Sequence, residues 1–297
     1  MRFGVMAMQL PMLIPSGPPD QAIAQIMQFD HAGLVRRVHE FGFNLIELGG
    51  DLVLFMPHTY APPAVEDLAR LKQEKGLAYT VHLPLWSVEP STLLQPVREG
   101  SVKAIVDCIK ATLPLEPEAY VLHATGALAA EFTQMRLPPQ AKGLIIRQFQ
   151  QMAIQSLKTI LADTGISSRK LSIETIEFPF DMTLEMAELL DLSICLDVGH
   201  VLAGFSGPLD VFDVLETVLP RLGEIHLHDA PWYQREEALG YGKDHQVLGA
   251  GDLDVGRLLD RLQSAGWDGP IVYELTVEQA LASMDVIRAI RPGLAIS

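Results

Sequence analysis

The stretch CLDVGH, residues 195–200, closes an apolar run of the kind that fills a buried strand, then breaks it at a carboxylate, with an imidazole three residues further on. The same construction recurs along the chain. Short runs rich in β-branched residues stand at RFGVMAM (2–8), NLIELG (44–49), AYTVHL (78–83), AYVLHA (119–124), LSIETI (171–176), LSICLD (192–197), EIHLHD (224–229) and PIVYEL (270–275). Longer stretches of helical periodicity follow them at 30–41, 65–75, 93–113, 140–163, 184–190, 209–222, 255–265 and 277–290, the last two preceded by the capping residues Asp254 and Thr276. Alternation of this kind is the signature of βα units on a parallel sheet. Eight units in 297 residues predict a closed (β/α)8 TIM barrel, a single α/β domain over 1–297 with a long loop at about 230–247. A doubly wound open sheet is the alternative, but its Gly-rich nucleotide loop is missing after the first strand, where AMQLPMLIPSGPPD stands.

Composition narrows the partners. A net charge of −15 disfavours nucleic acid and anionic membrane. No apolar run approaches the roughly 18–20 residues of a membrane helix. The start, MRFGVMAMQLPMLIP, reads as a strand and its loop, not as a signal peptide, and Cys108 and Cys195 read as core residues of a cytoplasmic protein.

In a barrel the C-terminal ends of all strands meet at one mouth. Six strands bring His82, His123, Glu174, Asp197, His226 and Glu274 there. Buried carboxylates repel one another and cost several kcal/mol when unpaired. A divalent cation removes that cost and accepts neutral imidazoles as well, so the set reads as a metal centre. His31, His39 and His58 lie away from strand ends and are expected at the surface or in loops.

The motifs VHLP, VLHAT, IETIE, LDVGH, IHLHDA, DHQVLGAGDLD and VYEL, in this order over nearly the whole chain, resemble the xylose isomerase-like TIM barrels. That group (AP endonuclease family 2) includes endonuclease IV and many sugar phosphate isomerases and epimerases. The resemblance implies a shared metal position held by Glu174, Asp197, His226 and Glu274. Nuclease-like members add His82 and His123, with Glu174 bridging to a second ion. A third ion there uses His200, the histidine matching His245 and an aspartate two positions earlier. Here that earlier position is Lys243, and Asp244 falls one place late, so a third ion is disfavoured. One to three divalent transition ions (Zn, Mn, Fe or Co) fit the ligand types, with two expected.

Two chemistries compete for such a mouth. Phosphoester hydrolysis needs clustered metals, hence His82, His123 and a bridging Glu174. Isomerisation or epimerisation of a sugar or sugar phosphate needs one metal, with Glu174 and Glu274 as bases. The extra histidines favour metal-dependent hydrolysis of a small molecule, phosphorylated or sugar-like; a non-catalytic binding protein is the remaining alternative. Duplex DNA is not expected, because the loops after the first three strands carry no Lys or Arg. Trp86, Trp232, Arg235 and Lys243 are expected substrate contacts, with Lys243 also a catalytic candidate that supplies positive charge in place of a third ion; His228, on the same strand face as His226, is expected as an outer hydrogen-bond partner or a substrate contact. A homodimer is compatible with the fold.

Overall fold

The computed structural model describes residues 1–6, 29–233 and 242–294. Eight parallel strands close in sequence order: β1 (Arg2–Met6), β2 (Leu45–Gly49), β3 (Ala78–His82), β4 (Tyr120–Leu122), β5 (Leu171–Glu174), β6 (Ser193–Asp197), β7 (Leu222–His226) and β8 (Pro270–Tyr273). The ring is completed by β8 beside β1, with Arg2 opposite Pro270 and Val5 opposite Tyr273. The predicted (β/α)8 barrel is therefore the fold, and the open sheet is excluded.

Around it lie α1 (His31–Glu40), α2 (Pro62–Lys75), α3 (Gln95–Thr112), α4 (Ala127–Gln134), α5 (Pro139–Thr164), α6 (Phe180–Leu190), α7 (Val198–Leu202), α8 (Val211–Val218), α9 (Val255–Ser264) and α10 (Val277–Ile290). Local chemistry sets their limits. In α9, Asp254 accepts from the Arg257 N–H at 2.9 Å, and Val255, Leu258, Leu259 and Leu262 face the barrel. Thr276 and Gln279 form a reciprocal capping box on α10. Two prolines open α2, and Gly76 closes it in the left-handed region (φ 65°). The helical run expected over 209–222 breaks into α8 and a 3-10 turn at Leu219–Arg221, where Pro220 lacks an N–H. Neither α4 nor α7 was legible as a separate helix.

The apolar core fills the layer between strands and helices, and among its largest fully buried side chains are Tyr79, Tyr120 and Tyr273. Inside the barrel the packing is unusually polar. Thr80 on β3 donates across the barrel to Glu224 on β7 at 2.9 Å. Glu47, Ser172 and Glu224 are all completely buried. His31, expected at the surface, is instead buried at the start of α1, its ring 5.4 Å from that of Tyr60. Burial pushes its pKa down to about 4.

Candidate functional site

The strand ends carry the polar residues to one point. His82, Glu174, Asp197 and His226 are the last residues of β3, β5, β6 and β7; His123 and Glu274 directly follow β4 and β8. Glu174 sits at the centre. Its Oε2 is 3.3 Å from His82 Nε2 and 3.0 Å from His123 Nε2, while its Oε1 is 3.4 Å from His200 Nδ1 and 3.7 Å from His226 Nδ1. His226 Nδ1 is also 3.3 Å from Glu274 Oε1 and 3.9 Å from Asp197 Oδ2. One ligand atom from each of Glu174, Asp197, His226 and Glu274 lies within 4.8 Å of every other, and His82, Glu174 and His226 form an overlapping group of three within the same distance.

The opening stretch now has a local explanation. Asp197 caps α7 by accepting from the His200 N–H at 2.6 Å, so a turn of helix carries the His200 ring back over the same carboxylate, with Nδ1 3.2 Å from Oδ2. The backbone N–H of Asp197 is in turn held by Thr175 Oγ1 at 2.9 Å. Gly199 is required by the packing, because a Cβ there would stand 2.1 Å from the His228 ring.

His228, read from the sequence as an outer hydrogen-bond partner or a substrate contact, makes hydrogen bonds through both ring nitrogens. It is completely buried, its Nδ1 accepts from the His245 N–H at 2.9 Å, and its Nε2 donates to Asp197 at 3.1 Å. Both ring nitrogens are engaged, so the side chain orients a carboxylate and supports the loop behind it.

The loop adds a carboxylate to the mouth. The one-residue offset of Asp244 does not remove it from the mouth. Its Oδ2 lies 2.7 Å from His245 Nδ1 and 3.7 Å from His200 Nε2, and His245 Nε2 reaches Glu274 Oε2 at 3.4 Å. His245 adopts φ 55°, and its ring stacks on that of His228 at 4.1 Å. A left-handed residue re-aims the chain within one step, which absorbs the offset. Lys243, one residue earlier, is exposed.

The frame of the loop is Asp229. Its carboxylate accepts from the N–H groups of Ala230 (2.9 Å), Gly249 (2.8 Å) and Leu253 (3.0 Å), and its backbone pairs in both directions with Gln246. Trp232 is half-buried, and its N–H donates to Asp252 at 2.9 Å. Arg235 lies outside the described residues.

Electrostatics fit a cation. Burial opposes charge on the histidines, yet the surrounding carboxylates outweigh it. His82, beside Glu174 and Glu47, is raised to about 9, as is His200 beside Asp197 and Glu174. His245, between Asp244 and Glu274, is raised to about 11, and Asp244 is held down at about 2 despite its own burial. Burial would raise Glu174 and Glu274, but the charges of His123, His226 and His245 hold both well below the usual carboxylate range. Protons on imidazole here balance negative charge that a divalent ion balances equally well. The Nδ1 atoms of His200 and His226 are buried without a hydrogen-bond partner among the described residues, while His82 Nδ1 donates to the Leu83 carbonyl at 2.9 Å and leaves Nε2 for the centre. Nitrogen and oxygen donors in this number suit a transition ion.

Beside the His123 and His200 edge opens a cavity of about 250 Å³ lined by Leu85, Trp86, Val88, Ile176 and Phe205. Trp86 is half exposed, and its ring meets Phe55 edge-on at 6.0 Å. Among the described residues no helix is long and apolar enough to cross a membrane.

Sequence reasoning assigned no role to Glu47, Glu224, Asp229 or Asp244. A glutamate amid the apolar NLIELG run was the available signal for Glu47; the other three needed the folded loop and barrel.

Comparison with known proteins agrees with this geometry. The chain is 24% identical over 234 residues to a probable endonuclease 4 of Mycobacterium leprae, covering 77% of this chain and 86% of that protein. It is 22% identical over 240 residues to an uncharacterised protein of Methanocaldococcus jannaschii, covering 78% and 76%. Among solved structures, a D-tagatose 3-epimerase-like protein superposes with a TM-score of 0.69 at 20% identity over 98% of this chain and 97% of that one. Endonuclease IV from Thermus thermophilus superposes with a TM-score of 0.65 at 20% identity, over 99% and 100%. Residues 35–291 match the family described as xylose isomerase-like TIM barrel. With a closed eight-stranded barrel and a His and carboxylate mouth already in view, the conclusion is that the chain belongs to the xylose isomerase-like TIM barrel family.

Proposed function

We propose that the protein is a metal-dependent hydrolase of a small phosphoester, a phosphodiester for preference, with Glu174 a ligand that two divalent ions would share. The observation that carries this reading is the division of labour on Glu174. One oxygen faces His82 and His123; the other faces His200 and His226. A carboxylate with separate histidine partners on its two oxygens suits two ions side by side. His82, His123 and Glu174 would hold one, and Glu174, Asp197, His226 and Glu274 the other. Asp244, His200 and His245 are available to a third. Held there, such ions would supply Lewis acidity toward phosphoryl oxygens and would lower the pKa of water toward neutral pH.

The protein's own groups supply the rest. Asp197, held by Thr175 and His228, presents its carboxylate in one orientation. The cavity beside Trp86 accepts an apolar or aromatic part of the substrate and excludes water there. Lys243, Trp232 and Arg235 on the long loop are proposed to meet the charged end. Duplex DNA is not the proposed substrate, since residues 50–61 and 83–94, the loops after β2 and β3, contain no Lys or Arg.

A second reading has its own support. Glu174 Oε1 and Glu274 Oε1 stand 3.7 and 3.3 Å from the same His226 nitrogen, two carboxylates about one position, as an epimerase with a base on each side of a substrate carbon would require. Incubating Mn- or Zn-loaded protein with aryl phosphodiesters, abasic duplex DNA and ketoses in deuterated water separates the readings. Release of the aryl alcohol is the expected result. Deuterium entering a ketose without phosphodiester cleavage would replace the hydrolase with the epimerase.

A further inference from the structure

His226 has two faces. Its Nδ1 looks up into the carboxylates of the mouth, and its Nε2 looks down the barrel, 3.4 Å from Glu47 Oε1. Glu47 lies in the middle of β2 and is completely buried. A carboxylate in that position costs several kcal/mol unless something compensates it. Its Oε2 has no hydrogen-bond partner among the described residues, so the contact with His226 is where the compensation lies.

A neutral imidazole has one proton. A carboxylate beneath Nε2 holds the proton there and leaves the Nδ1 lone pair pointing into the mouth. His82 is arranged the other way, with Nδ1 spent on the Leu83 carbonyl and Nε2 turned to Glu174. The two rings stack 5.7 Å apart and present opposite nitrogens to one centre. Backbone suffices to orient His82, at the rim; beneath His226 a side chain from the far side of the barrel does the work.

We propose that Glu47 is a positioning residue for the metal centre: it fixes the tautomer and tilt of His226 so that Nδ1 is the ligating atom. The role rests on the metal-centre reading above. Glu224 is the internal comparison: it is equally buried in the same barrel and lies within 4.8 Å of ligand atoms of both Glu47 and His226, yet its hydrogen bond goes to Thr80 and not to the imidazole.

The test is Co²⁺ affinity of the full chain, by competition with a chromophoric chelator, for wild type, Glu47→Gln and Glu224→Gln, with the visible Co²⁺ spectrum and the melting temperature of each metal-free protein. Glu47→Gln should bind Co²⁺ about 10- to 100-fold more weakly with a changed visible band, its metal-free melting temperature being held, and Glu224→Gln should stay within about threefold of wild type. Wild-type affinity in Glu47→Gln overturns the role, and so do equal losses in both variants, which would mark a general disturbance of the barrel interior. Uptake of no Co²⁺ by wild type overturns the metal-centre reading and this role with it. Should Glu47→Gln fail to fold, long-range ¹H–¹⁵N spectra of Zn-loaded wild type decide: a proton on His226 Nε2 supports the assignment, and a proton on Nδ1 overturns it.

Discussion

Metal uptake by this protein should be proton-coupled, to an extent that the geometry sets. His82 and His200 are held at about 9 and His245 at about 11 by the carboxylates around them. At pH 7 a group with a pKa two units higher is about 99% protonated, and a ligating imidazole must be neutral. Each of these histidines that becomes a ligand therefore releases about one proton, and apparent affinity rises about tenfold per pH unit for each, up to its pKa. The ion held by His82 should release about one proton from that ring per chain at pH 7, and a third ion drawing on His200 and His245 about two more. The assay is titration calorimetry of metal-free protein with Zn²⁺ or Mn²⁺, repeated in buffers of different ionisation enthalpy and at several pH values between 6 and 9. Heats independent of the buffer, together with an affinity flat from pH 6 to 8, would refute the reasoning, for the histidines would then already be neutral before the ion arrives.

Three further outcomes are expected. The metal-free protein should lose stability as pH rises from about 6.5 to 9, because histidines with raised pKa values contribute fully below their unfolded value and cease to contribute as pH passes the folded one; melting temperature against pH, with and without metal, checks this. Asp229→Ala should cost about 2 kcal/mol or more in urea unfolding, since it strands the two buried N–H groups of Ala230 and Leu253 at about 1–3 kcal/mol each before relaxation and frees the part-buried one of Gly249. Asp244→Ala should reduce bound metal measured by elemental analysis, whereas Lys243→Ala should reduce turnover and leave metal content in place; the reverse pattern would return the loop to the arrangement read from the sequence.

The barrel was legible because every strand signals itself by an apolar run, and six of the eight a second time by a titratable residue at or just past the end; β5, β6 and β7 are the clearest cases. The convergence of six polar residues followed from topology alone. What stayed hidden depends on backbone conformation and on the direction in which side chains point. Counting positions in KDH puts a lysine where a carboxylate was sought, and no count reveals that His245 turns left-handed and returns Asp244 to the histidines. His228 carries the same periodicity as His226, and only the depth of its ring and its two engaged nitrogens separate a support from a contact. Glu47 and Glu224 lie within strands, where a pattern marks them as exceptions without saying what they meet across the barrel.

The knot tied by Asp229 has an evolutionary consequence. One carboxylate fastens the stem of the long excursion at Ala230, Gly249 and Leu253, and the bridge to Gln246 fastens its return next to His245. Chain between the two fastenings can be lengthened, shortened or rewritten without shifting the imidazole that follows it. Selection for a new substrate can therefore act on chain beyond the fastenings, with the reactive groups inherited unchanged.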